Sequence, residues 1–137
     1  MLNKNKVRIA NFSFLKPVNF VEAPIYSKNS VKLVNYKKNI QVFISIFGRD
    51  GDFCKESYDL IFKNVSVDVN SKLKSKRVFK RNNLKIYNLF FKKGNHNESI
   101  YLTFKENKTF RFTFIFHSEF DNTLKIFEKL IKSLNSF

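Results

Sequence analysis

Tryptophan is absent from this chain, cysteine occurs once, proline twice and glycine three times in 137 residues. A lone thiol, Cys54, excludes an internal disulfide, so a cytoplasmic protein is expected. Glycines at 48, 51 and 94 are too few and too scattered for a glycine-rich phosphate loop. No run of about 18 apolar residues occurs, so no membrane-spanning helix is expected. Met1–Ala10 is basic but lacks the apolar core of a signal peptide. The two histidines, His96 and His117, stand at a turn and a strand end without Cys or carboxylate at ligand spacing, so no metal or other cofactor is expected. Asp50 and Asp52 flank Gly51, but the glutamate that a calcium loop needs further on is missing, and turn chemistry accounts for them.

Acidic residues are also scarce: 11 stand against 26 Lys and Arg, a formal charge of +15. Such a surface attracts polyanions, acidic proteins and anionic membranes. Lys comes with abundant Asn, Ile and Phe, which AT-rich coding also favours, so selected charge and compositional bias both remain open.

Phenylalanine is plentiful, with 18 residues, and 43% of the chain is apolar, enough to bury a core in a single domain spanning 1–137. Phe110, Phe112, Phe114 and Phe116 recur every second residue, with Thr109, Arg111, Thr113 and Ile115 between them. Alternation of period two places four rings on one face of a strand. Residues 109–116 are therefore expected to form a central antiparallel strand.

Further strands are expected over residues 7–15, stopped by Pro17, and over Val31–Asn35 and Ile40–Phe47, with an irregular connection at 16–30. Asp50 or Asp52 can cap a helix from Phe53 to about Val65, whose stripe is Cys54, Tyr58, Ile61 and Val65. On that stripe Cys54 reads as a small buried hydrophobe. Arg77–Lys80, Leu84–Lys92 and Ile100–Phe104 follow as strands, with turns at 81–83, 94–97 and 105–108. A last helix, Glu119–Ser136, carries Phe120, Leu124, Phe127, Ile131 and Leu134 on one stripe, with Ser118 or Asp121 as its cap. The order predicts an α+β fold, an antiparallel sheet of six or seven strands with both helices on one face.

Two features point to partners. Residues 69–97 hold nine Lys or Arg and no acid, with Lys72, Lys74, Lys76, Arg77, Lys80 and Arg81 as a candidate basic patch. It reads as a solvated edge, as a contact for an acidic partner, or, with Tyr87 and Phe91 as stacking rings, as a nucleic-acid surface. The sheet face away from the helices is expected to hold Arg111, Thr113, Ile115, Tyr87, Leu89, Phe91, Tyr101 and Thr103. An apolar excess there marks an interface with a partner segment or a second copy.

The strand running into a proline turn over Asn11–Pro17, the hairpin before Gly51, the helix at 53–65, the consecutive strands and the closing Phe127–Leu134 occur together in this order. Across nearly the whole chain this resembles the PsbP-like fold. In length and element order it is similar to the effector-associated chaperones of bacterial type VI secretion. The resemblance implies a non-enzymatic binding protein, a secretion chaperone or an immunity protein that holds an effector or toxin. The fold alone does not choose among these roles.

Overall fold

The computed structural model describes residues 5–24, 27–48 and 50–136. Ten strands and two helices follow in order: β1 Lys6–Ile9, β2 Phe12–Leu15, β3 Val21–Ala23, β4 Ser30–Asn35, β5 Ile40–Phe47, α1 Asp52–Val67, β6 Ser71–Arg81, β7 Leu84–Lys93, β8 His96–Lys105, β9 Lys108–Phe116, α2 Leu124–Lys132 and β10 Asn135–Ser136. Positions 25–26 of the expected 16–30 connection and Arg49 in the break before α1 lie outside the described residues. Seven strands form an antiparallel sheet in the order β3-β4-β5-β9-β8-β7-β6, and β1-β2-β10 form a small second sheet. The α+β class and the seven-stranded antiparallel sheet are those expected from the sequence.

β9 is central, paired with β5 on one side and β8 on the other. Its four phenylalanines are all at most 1% exposed. Burying each ring contributes roughly 1.5–3 kcal/mol, so this one face supplies a sizeable share of the stability. The rings pack against α2 and the β1–β2 hairpin: Phe112 stands edge-on to Phe127 at 5.0 Å and to Phe14 at 6.1 Å, and Phe110 to Phe12 at 5.1 Å.

Hairpin turns set the register. Asn82 and Asn83 between β6 and β7, and Glu106 and Asn107 between β8 and β9, all have positive φ, as two-residue turns that match strand twist require. Gly94, at φ 60, turns β7 into β8.

The helices lie on opposite faces, not on one. α2 lies on the phenylalanine face, whereas Cys54, Tyr58 and Val65 of α1 pack with Leu89, Phe91, Ile100 and Leu102 on the other. The cause is that β7 and β8 are apolar on both sides, so each side needs its own cover. Other boundaries also move. Residues 7–15 fold back on themselves at Ala10, φ 52, to make β1 and β2. β6 starts at Ser71, well before Arg77. Residues 119–123 stay outside α2, and neither Ser118 nor Asp121 is its N-cap, which is Thr123. Asp121 instead accepts the Thr123 N–H at 3.0 Å and holds the approach to the helix. Likewise, α1 begins after Gly51 with no side-chain cap, so neither Asp50 nor Asp52 serves as one.

Candidate functional site: the uncovered half of the α1 face

α1 touches β6, β7 and β8, at one end of the sheet. The first turn of α1 also reaches Phe47 of β5 and Thr109 of β9, and beyond that contact the other half of the face, on β4, β5 and β9, has no described helix over it. Register pairs Phe43 with Thr113, Ser45 with Arg111 and Gln41 with Ile115, so these six side chains form one patch. All six are half-buried, unlike the rings on the reverse of the same strands. Lys32 of β4 reaches over the Phe43 ring, its Nζ 5.1 Å from the centroid.

Where the patch meets α1 there is a groove of about 390 Å³. Phe91, Ile100, Arg111 and Thr113 floor it, Leu60, Ile61, Asn64 and Val65 wall it, and Asp68, Lys93 and Glu98 are among its rim. Arg111 is held by a bond from its Nε to Thr113 Oγ1 at 3.2 Å. Burial works against its charge and lowers its pKa, and nearby Glu98 offsets part of that. Glu98 in turn lies 3.7 Å from His96 Nε2, so His96 sits at the head of a strand beside a carboxylate rather than in a solvated loop. The groove thus combines a floor of mixed apolar and polar side chains, an arginine restrained at Nε and carboxylates at the rim. That combination suits recognition of a polar or charged side chain carried on an apolar segment.

The eight residues expected on an open face divide three ways. Arg111, Thr113 and Ile115 are on it and half-buried. Leu89 and Phe91 share the face but lie buried beneath α1, and Tyr87 is partly covered there, its ring 5.1 Å from that of Tyr58. Tyr101 and Thr103 project to the opposite face and are fully buried. Pairing across the turn matches Tyr101 with Phe112 and Thr103 with Phe110, so they share the phenylalanine side. Tyr101 stacks on Phe127 at 4.4 Å, and Thr103 donates to the Lys85 carbonyl at 3.0 Å.

The basic patch is real in exposure but not one surface. All six cations lie on β6, the sheet's edge strand, and all are exposed. Lys76 leans onto the α1 face, its Nζ 4.1 Å from the Phe62 ring centroid. Arg77 lies on the other face, donating to Asn88 Oδ1 at 3.2 and 3.0 Å, and Arg81 pairs with Glu128 of α2 at 3.1 Å. Asn88 is fully buried and relays this contact inward to Ser99 and the Ile100 carbonyl.

The thiol of Cys54 is 1% exposed, raised in pKa by burial, and donates to Thr109 Oγ1 at 3.6 Å. His117 and Glu119 line a separate polar hollow with Lys74, Lys92, Asn95 and Asn97. Among the described residues no group of three or more His, Cys, Asp or Glu is placed to hold a metal ion, and no helix is long and apolar enough to cross a membrane.

Solved structures share this architecture. Cyanobacterial PsbP from Synechocystis sp. PCC 6803 superposes with a TM-score of 0.55 at 13% identity, over 93% of this chain and 88% of that one. The chain has a PsbP-like fold. A Bacteroides thetaiotaomicron VPI-5482 protein superposes with a TM-score of 0.53 at 17% identity, over 93% of this chain and 45% of that one, so the chain spans under half its length. No protein-family model matches, and no curated protein matches in sequence. Identities this low speak for the PsbP-like fold and not for a shared role. Sequence reasoning leaves Phe43, Ser45 and Gln41 out of the candidate face. Their mixed composition, against the uniformly apolar Ile40, Val42, Ile44 and Ile46, was the available signal.

Proposed function

We propose that this chain is a non-enzymatic protein-binding module that docks an acidic, partly apolar segment of a partner protein. The segment lies along the uncovered half-face and into the groove beside α1. The observation that carries this reading is the division of one sheet face. One half is sealed by α1, while the other leaves Phe43, Arg111, Thr113 and Ile115 only half-buried and adjoining the groove. A patch that interleaves apolar Phe43 and Ile115 with polar Gln41, Ser45, Arg111 and Thr113 has the composition of a separable interface rather than of an unfinished core. The charge of +15 favours an acidic partner over a second copy, because two identical cationic chains repel. A homodimer through the same face is the alternative that a sedimentation measurement separates.

A secretion-associated chaperone or an immunity protein that holds an effector or toxin is a protein of this kind. A toxin or effector encoded next to the gene would support that role. Nucleic-acid binding through β6 has less support, since its cations divide between two faces and the rings offered for stacking are partly covered (Tyr87) or buried (Phe91) by α1.

The test is capture from the native host with the wild-type chain and with Arg111→Glu. One dominant protein recovered by the wild type and lost with the variant is the expected result. Recovery of only ribosomes and nucleic acid would overturn the reading.

A further inference from the structure

The two edges of the main sheet are unlike. β3, at one edge, is three residues long, whereas β6, at the other, runs for eleven and has β7 as its one strand neighbour among the described residues, with the Arg77 carbonyl also accepting from Tyr58. A long edge strand presents a row of backbone donors and acceptors to any extended chain that can reach it. Register then shows an unusual charge arrangement. Lys80 stands directly opposite Lys85, and Lys72 opposite Lys92, with no acid anywhere in residues 69–97 to separate them. Like charges facing each other across an antiparallel pair are unfavourable. Apolar side chains nevertheless surface between the cations, Val78 at 50% and Leu73 at 37% exposure.

We infer that the free edge of β6 accepts an acidic extended segment of a partner protein as an eighth strand. Main-chain hydrogen bonds would supply the docking. Glutamate or aspartate at alternate positions would neutralise Lys76 and Lys80, with Val78 between them on the same face. The register shift between Leu73 and Ser75 interrupts the ladder there, so the competent stretch is Ser75–Arg81. Charge selects the occupant: a second copy of this chain would bring another row of lysines to the same edge and is repelled. The edge lies at the far end of the sheet from the β4–β5–β9 patch, so this inference does not rest on the binding reading above.

A fluorescein-labelled ten-residue peptide alternating Glu and Val, titrated by anisotropy at physiological salt, tests it. Binding is expected, and should vanish when Lys replaces every Glu. Two further peptides carry N-methyl groups on either the odd or the even residues, each blocking one hydrogen-bonding edge at constant charge. Strand addition predicts that one pattern loses about tenfold or more in affinity while the other keeps it. The double variant Lys76→Glu with Lys80→Glu should weaken the parent peptide by about tenfold while retaining a cooperative melt. No binding, or equal binding of both methylated peptides, overturns the inference. Tighter binding of a ten-nucleotide oligothymidylate than of the acidic peptide would also overturn it, in favour of a nucleic-acid edge.

Discussion

Replacing Phe112 with Ala perturbs the centre of the molecule and separates its two faces. The ring is fully buried, edge-on to Phe14 on one side and to Phe127 of α2 on the other. Truncating a buried phenylalanine costs about 3–5 kcal/mol, transfer and cavity together. Both neighbours are aromatic and come from different elements, the β1–β2 hairpin and α2, so neither can collapse into the space without moving its whole element. The upper part of that range is therefore expected. Unfolding entropy near the melting point is about 2.1 cal/mol/K per residue, roughly 0.29 kcal/mol/K for this chain, which converts about 4–5 kcal/mol into a loss of about 14–17 °C. On the same strand, Arg111 is only half-buried with one hydrogen bond to a side chain, so Arg111→Ala should cost less than about 1 kcal/mol, near 3 °C. Thr113→Ala should behave as Arg111→Ala does. Thermal melts by circular dichroism read all three. If Arg111→Ala and Thr113→Ala melt as low as Phe112→Ala, the β4–β5–β9 half is core and the docking surface proposed there does not exist.

Asn88→Ala should cost about 2–3 kcal/mol in a urea titration, because Arg77, Ser99 and the Ile100 carbonyl all lose a partner inside the protein. A cost under 1 kcal/mol would mean that water replaces the amide. Cys54 should react with iodoacetamide at pH 8 about a hundredfold more slowly in the native protein than in urea, since burial both hides the thiol and raises its pKa. A rapid burst of labelling would contradict its place beneath α1. Burial, with a smaller push from Asp121, raises Tyr101 to about 12, and burial with Asp59 does the same for Tyr58. The unfolded chain then loses these phenolic protons first, so their contribution is intact below pH 10 and is lost as pH rises through 12. Tyr101→Phe should flatten the fall in stability across that window, and an unchanged slope would remove Tyr101 as its source.

Much of the fold is legible from short-range rules. The period-two phenylalanines place β9, and the paired turn residues at 82–83 and 106–107 mark the β6–β7 and β8–β9 hairpins. The facing of Tyr101 was also readable. A turn closed by Lys105 and Lys108 matches residues whose numbers add to a constant, which puts Tyr101 opposite Phe112 rather than Arg111. The shortening of α2 was not. Phe120 continues the helical stripe in sequence, yet it is 80% exposed. A buried polar relay instead captures the segment before the helix. Asp121 takes a bond from Ser99 at 2.7 Å, and Thr123 meets the Tyr101 hydroxyl at 2.9 Å. Partners that distant in sequence leave no local period to detect.

Position of α1 decides how the candidate site should be understood. β7 and β8 are apolar on both sides, and such strands demand two covers before they say anything about a partner. Of the helices, α2 covers the phenylalanine face. The stripe of Cys54, Tyr58, Ile61 and Val65 then had one large apolar area left to meet, that of Leu89, Phe91, Ile100 and Leu102. An apolar surplus on β7 therefore argued for an internal cover. β5 and β9 present a different pattern on the same face. Phe43 and Ile115 alternate in space with Gln41, Ser45, Arg111 and Thr113, and no second apolar stripe in the described chain matches them. A surface too polar to seal permanently and too apolar to be indifferent to water is suited to a partner that arrives and leaves. That contrast between neighbouring strands, rather than the total apolar content of the sheet, is what places the proposed contact on Phe43, Arg111, Thr113 and Ile115.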